Sequence, residues 1–510
     1  MRTTTLVTSA IALSSFVHLP GLLRARPLDD ETYLTSMGKM LSAGDVLYRD
    51  VIDRKPPLVL WAYELLVPNS WDLRPLRLVA VLLISINGLL VMAIATRLGI
   101  GTSAARGAGA FAIIGTSLAG FSDAQAANFE VWGLVPASAA VLLALGGVRP
   151  RSSAVSIGRA VASGAMVAVA TNCKQPYIFT LLVVGFALIC TVPRGRRVTH
   201  LLAAVVGFTT ITGVIAVASG WNGYWKWVWF DNGDYIQIGV GTLAMLALRQ
   251  CIVFALVQWP LTMLALPIIA NRRPKLDETL QPKQPDAAKS PTARHFGLIW
   301  FAASLVGVAS GLRFFGHYFQ QAVPAFALLA GIALHARPLT SPRRILAATV
   351  FVPFLWMLAW VPGLSGLDAA PRQLAQGIAA RTTANDRVLI WGRLPDAAVQ
   401  AHRIPAGRFV HQAYLTGSWA SVDGVADPAN TEPYAQRWSD YIDGLVNSPP
   451  AIIVDASPIV GEWNRYSIDR LPLQRLIDAC YRSTKKINDL NTFEWTGASC
   501  EKAAVIREGS

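Results

Sequence analysis

Apolar runs of about 18 to 22 residues, separated by polar or basic stretches, recur from Thr4 to Val361. A run of this length crosses the ~30 Å hydrocarbon core of a bilayer as a helix. The pattern predicts eleven spans, at about 4–23, 78–96, 104–121, 129–148, 157–172, 176–192, 199–219, 250–270, 295–312, 319–336 and 344–362. Two connections are long enough to carry structure of their own. In the first, Arg24–Arg77, the segment Thr32–Ser42 places Tyr33, Leu34, Met37, Met40 and Leu41 at helical spacing, and Gly44 supplies a stop. Pro56 and Pro57 can open a second helical stretch, Leu58–Leu66. Two amphipathic helices at the membrane surface, joined by a loop bearing Asp50 to Lys55, are expected. The second connection holds WNGYWKWVWFDNGDY, Trp221–Tyr235, whose tryptophans and tyrosines suit the membrane–water boundary. It serves as an anchor or as the wall of a lipid or sugar site. The proline-rich polar stretch Asn271–His295 is predicted to be disordered.

From about Gly363 the pattern shortens. RVLIWG (Arg387–Gly392), AIIVDA (Ala451–Ala456) and FEWTG (Phe493–Gly497) read as strands, and Pro371–Arg381, Tyr434–Val446 and Leu471–Tyr481 as helices. The predicted organisation is a polytopic helical membrane domain over 1–362, with a first external loop at 24–77, followed by an α/β domain over 363–510.

Charge gives the orientation. The chain is 53% hydrophobic and only 15% charged across 510 residues, whereas an ordinary soluble protein is about 25% charged. With the N-terminus inside, Arg97 and Arg106, then Arg149, Arg151 and Arg159, then Arg194, Arg196 and Arg197, then Arg272, Arg273 and Lys275, and finally Arg337, Arg343 and Arg344 all fall on the cytoplasmic side. This positive-inside pattern places Arg24–Arg77, Trp221–Arg249, the short Arg313 loop and the C-terminal domain outside. It also accounts for the net charge of +14 without nucleic acid, for which no basic patch interleaved with aromatics exists. Thr4–Leu23 has the look of a signal peptide, but no small-x-small cleavage site precedes Arg24, and an uncleaved first helix is expected. Cys173, Cys190 and Cys251 read as small residues of the apolar spans, while Cys480 and Cys500 stand where a disulfide is permitted.

The densest charge lies just outside the first span: Asp29, Asp30 and Glu31, then Asp50, Asp53, Arg54 and Lys55. Charge at a membrane surface is costly unless solvated or used. Acids and bases together suit transfer of a sugar from a lipid phosphate: a carboxylate takes the acceptor proton and cations hold the departing phosphate. No phosphate-cradling glycine loop and no GxSxG elbow are present.

The stretch DDETYLTSMGKMLSAGDVLYRDVIDRKPPLVLWAY resembles the first external loop of the GT-C glycosyltransferases. More narrowly, it is similar to the family 39-like bacterial enzymes, relatives of protein O-mannosyltransferases and lipid A aminoarabinose transferases. Asp30-Glu31, Tyr33, Gly44, Tyr48, Asp53 and Lys55-Pro56-Pro57 fill the pattern. QAANFEVWGLVP (Gln125–Pro136), TNCKQPYIF (Thr171–Phe179) and GLRFFGHYFQQAVPAFALLAG (Gly311–Gly331) look like later family segments, and RVLIWGRLPDA and PPAIIVDASP like the end domain of one bacterial branch. The resemblance implies a GT-C fold and inverting transfer from a polyprenyl-phosphate sugar, with Asp30 as base. The extra acid of this chain leaves Asp29 as an alternative.

On the same resemblance Glu31 and Glu130 are candidate catalytic acids. Lys55, Lys174, Arg313 and His317 are candidate phosphate ligands, and Asp53, Tyr33 and Tyr318 line the substrate. Plainer readings stand beside these. Asp30 and Glu130 would be helix-start charges, Asn128 an N-cap, Lys55 a snorkelling cation and Tyr318 an aromatic-belt residue. No paired-ligand motif calls for a metal, though a divalent ion on His317 with Asp30 or Glu130 stays open. No cofactor is expected. The partners are a polyprenyl-phosphate-linked sugar, an acceptor glycan, lipid or protein, and the bilayer of a bacterial-type inner membrane, with the C-terminal domain periplasmic. A lipid or polysaccharide transporter and a non-catalytic assembly protein are the rivals. The absence of a visible internal repeat disfavours an inverted-repeat transporter.

Overall fold

The first apolar run folds as two helices rather than one, Thr3–Val17 and Leu19–Leu23, because His18 and Pro20 interrupt it. The break is held by buried polar groups. Arg77 Nη1 donates to the Gly21 carbonyl at 2.6 Å, Gln125 Nε2 to the Val17 carbonyl at 3.3 Å, and His18 Nδ1 lies 3.0 Å from Ser117 Oγ. Irregular backbone inside a bilayer survives only when such partners exist. The structure, a computed structural model, describes residues 3–23, 30–67, 71–119, 124–146, 153–231, 239–270, 291–336, 351, 369–419 and 424–497. The expected span 344–362 and the expected disordered stretch fall almost wholly outside these.

The chain divides into two compact units. One comprises Met1–Leu28, Arg74–Ala218 and Gly239–Val361; the other Asp29–Leu73, Ser219–Ile238 and Pro362–Ser510. Asp29–Leu73, most of the first loop, clusters with the C-terminal residues.

The first unit is helical. Five described helices are long and apolar enough to cross a membrane: Arg74–Arg97, Arg194–Ala218, Val240–Val257, Ala293–Ser310 and Gly316–Ala336. Shorter apolar helices include Thr3–Val17, Phe129–Leu145, Gln175–Thr191 and Trp259–Ile269. One expectation is corrected here. The run 250–270 is not one span but the end of Val240–Val257 and the whole of Trp259–Ile269, parted at Gln258. Arg249, where the external loop was expected to end, lies inside the first of these helices. Gln258 itself is buried and its Nε2 donates to the Gly115 carbonyl at 2.9 Å. Helices in this unit approach closely through small residues. A Cβ on Gly164 would lie 1.8 Å from the Ala204 carbonyl oxygen, and one on Gly207 would lie 2.0 Å from that of Val161. Glycine at both positions lets Ser153–Cys173 and Arg197–Ala218 run backbone to backbone.

The second unit is built on a five-stranded mixed sheet in the order β2-β1-β3-β5-β4. Its strands are β1 (Arg387–Trp391), β2 (Ile404–Pro405), β3 (Ile452–Asp455), β4 (Tyr481–Ser483) and β5 (Thr492–Trp495). β1 pairs parallel with β2 and with β3, in register Val388 to Ile452 and Trp391 to Asp455. β5 pairs antiparallel with β3 and β4. Val388–Trp391 of β1 and all of β3 are buried, as the unbroken apolar runs VLIW and IIV require of strands covered on both faces. The first loop contributes the helices Glu31–Ser42 and Pro57–Leu66, within two residues of their expected bounds. Its turn is fastened to the C-terminal residues: Arg387 grips Asp45 with two hydrogen bonds of 2.7 and 3.0 Å, and Ile52 N donates to the Arg408 carbonyl at 2.9 Å. The Trp221 segment forms a helical turn followed by a π-helical one, and Trp227 packs edge-on to Phe409 and Tyr414 at 6.0 Å. Those rings are core of this unit, so the segment is structural within it. Cys480 is disulfide-bonded, and Cys500 lies outside the described residues.

Candidate active-site residues in the two units

In the helical unit the chain positions Glu130 by starting a helix at Phe129, after Asn128 at the cap position. Glu130 is fully buried. Its carboxylate pairs with Lys174 Nζ, which stands at the break between Ser153–Cys173 and the short 3-10 helix Gln175–Phe179. His317 Nε2 lies 3.9 Å from the same Oε1, and the Tyr177 hydroxyl donates to the Glu130 carbonyl at 2.7 Å. Lys174 Nζ also stands 3.5 Å from the centre of the Tyr318 ring, a cation–π contact. Glu130 Oε2 is buried and has no hydrogen-bond partner among the described residues. Four sequence candidates, Glu130, Lys174, His317 and Tyr318, are therefore brought into one cluster. Arg313 is buried too, on a turn where Leu312 and Phe314 both adopt positive φ, 53° and 49°. Side chains other than glycine rarely adopt that backbone, and here it shapes the turn that leads into His317.

In the second unit the first loop doubles back on itself. Asp30 is the cap residue of Glu31–Ser42, half-buried, and makes no side-chain cap bond. Glu31 is fully buried. Asp53 holds the turn by accepting the Lys55 N–H at 3.1 Å, and the Tyr48 hydroxyl donates to the Lys55 carbonyl at 2.8 Å. Burial pushes the Asp53 carboxyl above its ordinary range. Arg54 and Lys55 oppose that shift, and the charge of Asp30 adds to it. The two arms of the loop, Asp30 to Tyr33 and Asp53 to Lys55, are thus near enough to feel each other. Asp29 lies outside the described residues.

The C-terminal residues complete this cluster, and sequence reasoning missed them. Tyr33 stacks on His411 with ring centres 4.6 Å apart. Burial raises its phenol to about 12, against the pull of Arg393, which hydrogen-bonds it. Asp396 accepts the Thr32 hydroxyl at 2.7 Å, and the Tyr414 hydroxyl accepts the Arg54 N–H at 2.6 Å. His411 is held neutral, well below the ordinary imidazole range, by burial and by Arg393, Arg54 and Lys55. The only hint in the sequence was the mixture of His and aromatics in FVHQAYLTGSW. Among the described residues no group of three or more His, Cys, Asp or Glu side chains gathers as a metal site.

No family model matches the chain, and no curated protein sequence matches it. Solved structures do. ArnT from Cupriavidus metallidurans bound to undecaprenyl phosphate superposes with TM-score 0.60 at 18% identity, over 96% of this chain and 98% of that one. The same enzyme in the apo state gives 0.58 at 16% identity, over 97% and 98%. The chain shares the fold of these structures. The Archaeoglobus fulgidus oligosaccharyltransferase in complex with Zn and sulfate shares it at TM-score 0.51 and 12% identity, over 96% of this chain and 72% of that one. With five described helices long and apolar enough to cross a membrane, the chain is a multi-pass membrane protein.

Proposed function

We propose that this chain is a membrane glycosyltransferase. It moves a sugar from a polyprenyl-phosphate donor to an acceptor hydroxyl at the outer face of a bacterial-type inner membrane, with inversion at the anomeric carbon. One observation carries the reading: the first loop brings the acid arm at Asp30 within electrostatic reach of Asp53, beside Arg54 and Lys55. Asp30 takes the acceptor O–H proton, and the freed oxygen bonds to the anomeric carbon from the face opposite the phosphate. The carbon–phosphate oxygen bond breaks and its electron pair leaves with the phosphate, whose charge Lys55 meets. Lys174, Arg313 and His317 are assigned to phosphate binding, and Glu130 pairs with Lys174 and stands 3.9 Å from His317. That ArnT binds undecaprenyl phosphate on this fold supports a lipid-linked donor.

The test is release of polyprenyl phosphate, followed by mass spectrometry, from the full-length protein in nanodiscs offered polyprenyl-phosphate sugars and a panel of acceptors. Wild type should turn over, and Asp30→Asn should lose about a hundredfold or more. Equal rates for the two would move the base to another residue. Donor binding without release by wild type, whatever the acceptor, would favour a non-catalytic role.

A further inference from the structure

The second unit contains a line of side chains in ring contact that joins the two arms of the first loop through the C-terminal domain. It starts at Tyr33, three residues after Asp30. His411 lies flat on Tyr33, with 15° between the rings. Trp419 follows His411 at 4.8 Å, its ring tilted 39° to the imidazole, and the Arg54 guanidinium covers the Trp419 ring at 4.8 Å. Arg54 precedes Lys55. Tyr414 braces the line from the side, edge-on to Trp419 at 5.0 Å, while its hydroxyl accepts the Arg54 N–H. At the other end, Arg393 hydrogen-bonds Tyr33, and Asp396 accepts the Thr32 hydroxyl.

We propose that His411 and Trp419 are positioning residues. They form a spacer, supplied by the C-terminal domain, that fixes the separation between the proton-accepting arm at Asp30 and the phosphate-holding arm at Lys55. This deepens the transferase reading above and rests on it. The physical argument has three parts. Asp30 and Lys55 stand on opposite sides of a loop of more than twenty residues, and closing such a loop leaves much freedom at its ends. Packed planar rings resist shortening, because they cannot approach closer than van der Waals contact. The spacer is built of groups that carry no competing charge: His411 is neutral among Arg393, Arg54 and Lys55. A charged imidazole there would repel the arm that it supports.

The spacer predicts a specific pattern across two variants of the full-length protein in nanodiscs. His411→Ala removes the middle ring, and His411→Phe keeps a ring but no imidazole. In His411→Ala, amide hydrogen exchange should quicken across residues 31–42 and 53–55. Turnover should fall between about tenfold and a hundredfold, with the donor KM changed less than about twofold. His411→Phe should restore both exchange protection and kcat. Wild-type protection and turnover in His411→Ala would overturn the spacer. So would equal damage in both variants, which would make the imidazole itself, and not the stack, the working part. If wild type shows no turnover, the transferase reading fails, while the exchange measurement still decides whether the rings join the two arms.

Discussion

Replacing Lys174 by Met tests the buried cluster of the helical unit directly. The Lys174 and Glu130 side chains are 3% and 1% exposed, so neither charge is shielded by water. With the ammonium gone, Oε1 of Glu130 keeps only His317 at 3.9 Å, and Oε2 has no hydrogen-bond partner among the described residues. Removing one member of a buried pair costs about 3 to 5 kcal/mol. The double variant Glu130→Gln, Lys174→Met removes both charges and should lose much less, leaving a coupling of about 2 kcal/mol or more. Denaturant unfolding of the four proteins in one detergent closes the cycle. A coupling below about 0.5 kcal/mol, the level seen for independent sites, would refute the buried pair. If Lys174 holds phosphate as proposed, the double variant should also be stable yet slow; normal turnover would remove Lys174 from that role.

Three further outcomes follow from other contacts. Gly164→Ala puts a methyl group against the Ala204 carbonyl and should destabilise by about 1 to 3 kcal/mol, whereas Gly213→Ala, with nothing within 4 Å, should be neutral or slightly stabilising by thermal unfolding. Asp53→Asn should stabilise the protein at pH 7. The raised carboxyl gives stability that is present below its unfolded value near 3.8 and lost as pH rises through the folded value, so the advantage of Asn should vanish in acid melts. His411 works in the opposite direction: its lowered pKa gives stability present above 6.5 and lost as pH falls towards the folded value. Unfolding midpoints should therefore drop between pH 7 and 5 in wild type and drop less in His411→Phe.

Apolar length made most of the helices legible, because a run such as Leu76 to Ala95 has no other stable home. It failed at 250–270, where Arg249 imitates the end of a loop and Gln258 imitates nothing at all, its role being a bond to Gly115 far along the chain. The strands β1, β3 and β5 were readable as short apolar runs, but β2 and β4, of two and three residues, are too short to leave a pattern. Glu130, Lys174 and His317 were chosen singly as charges in apolar company, and the structure joins them. Arg393, His411 and Trp419 could not be found that way. Their partners Tyr33 and Arg54 precede them by about 360 residues, and side chains that meet across such a gap share no local periodicity.

The unit that carries Asp30 is stitched from 29–73, 219–238 and 362–510, with helices of the other unit made in between. A ribosome therefore produces its first piece long before its last. Until translation nears completion the early segment has no His411 to lie against, and such late closure of distant segments is slow. The sequence order itself thus delays assembly of the acid loop until the whole chain is in the membrane, and a chain cut short after the last span would be expected to insert but not to mature.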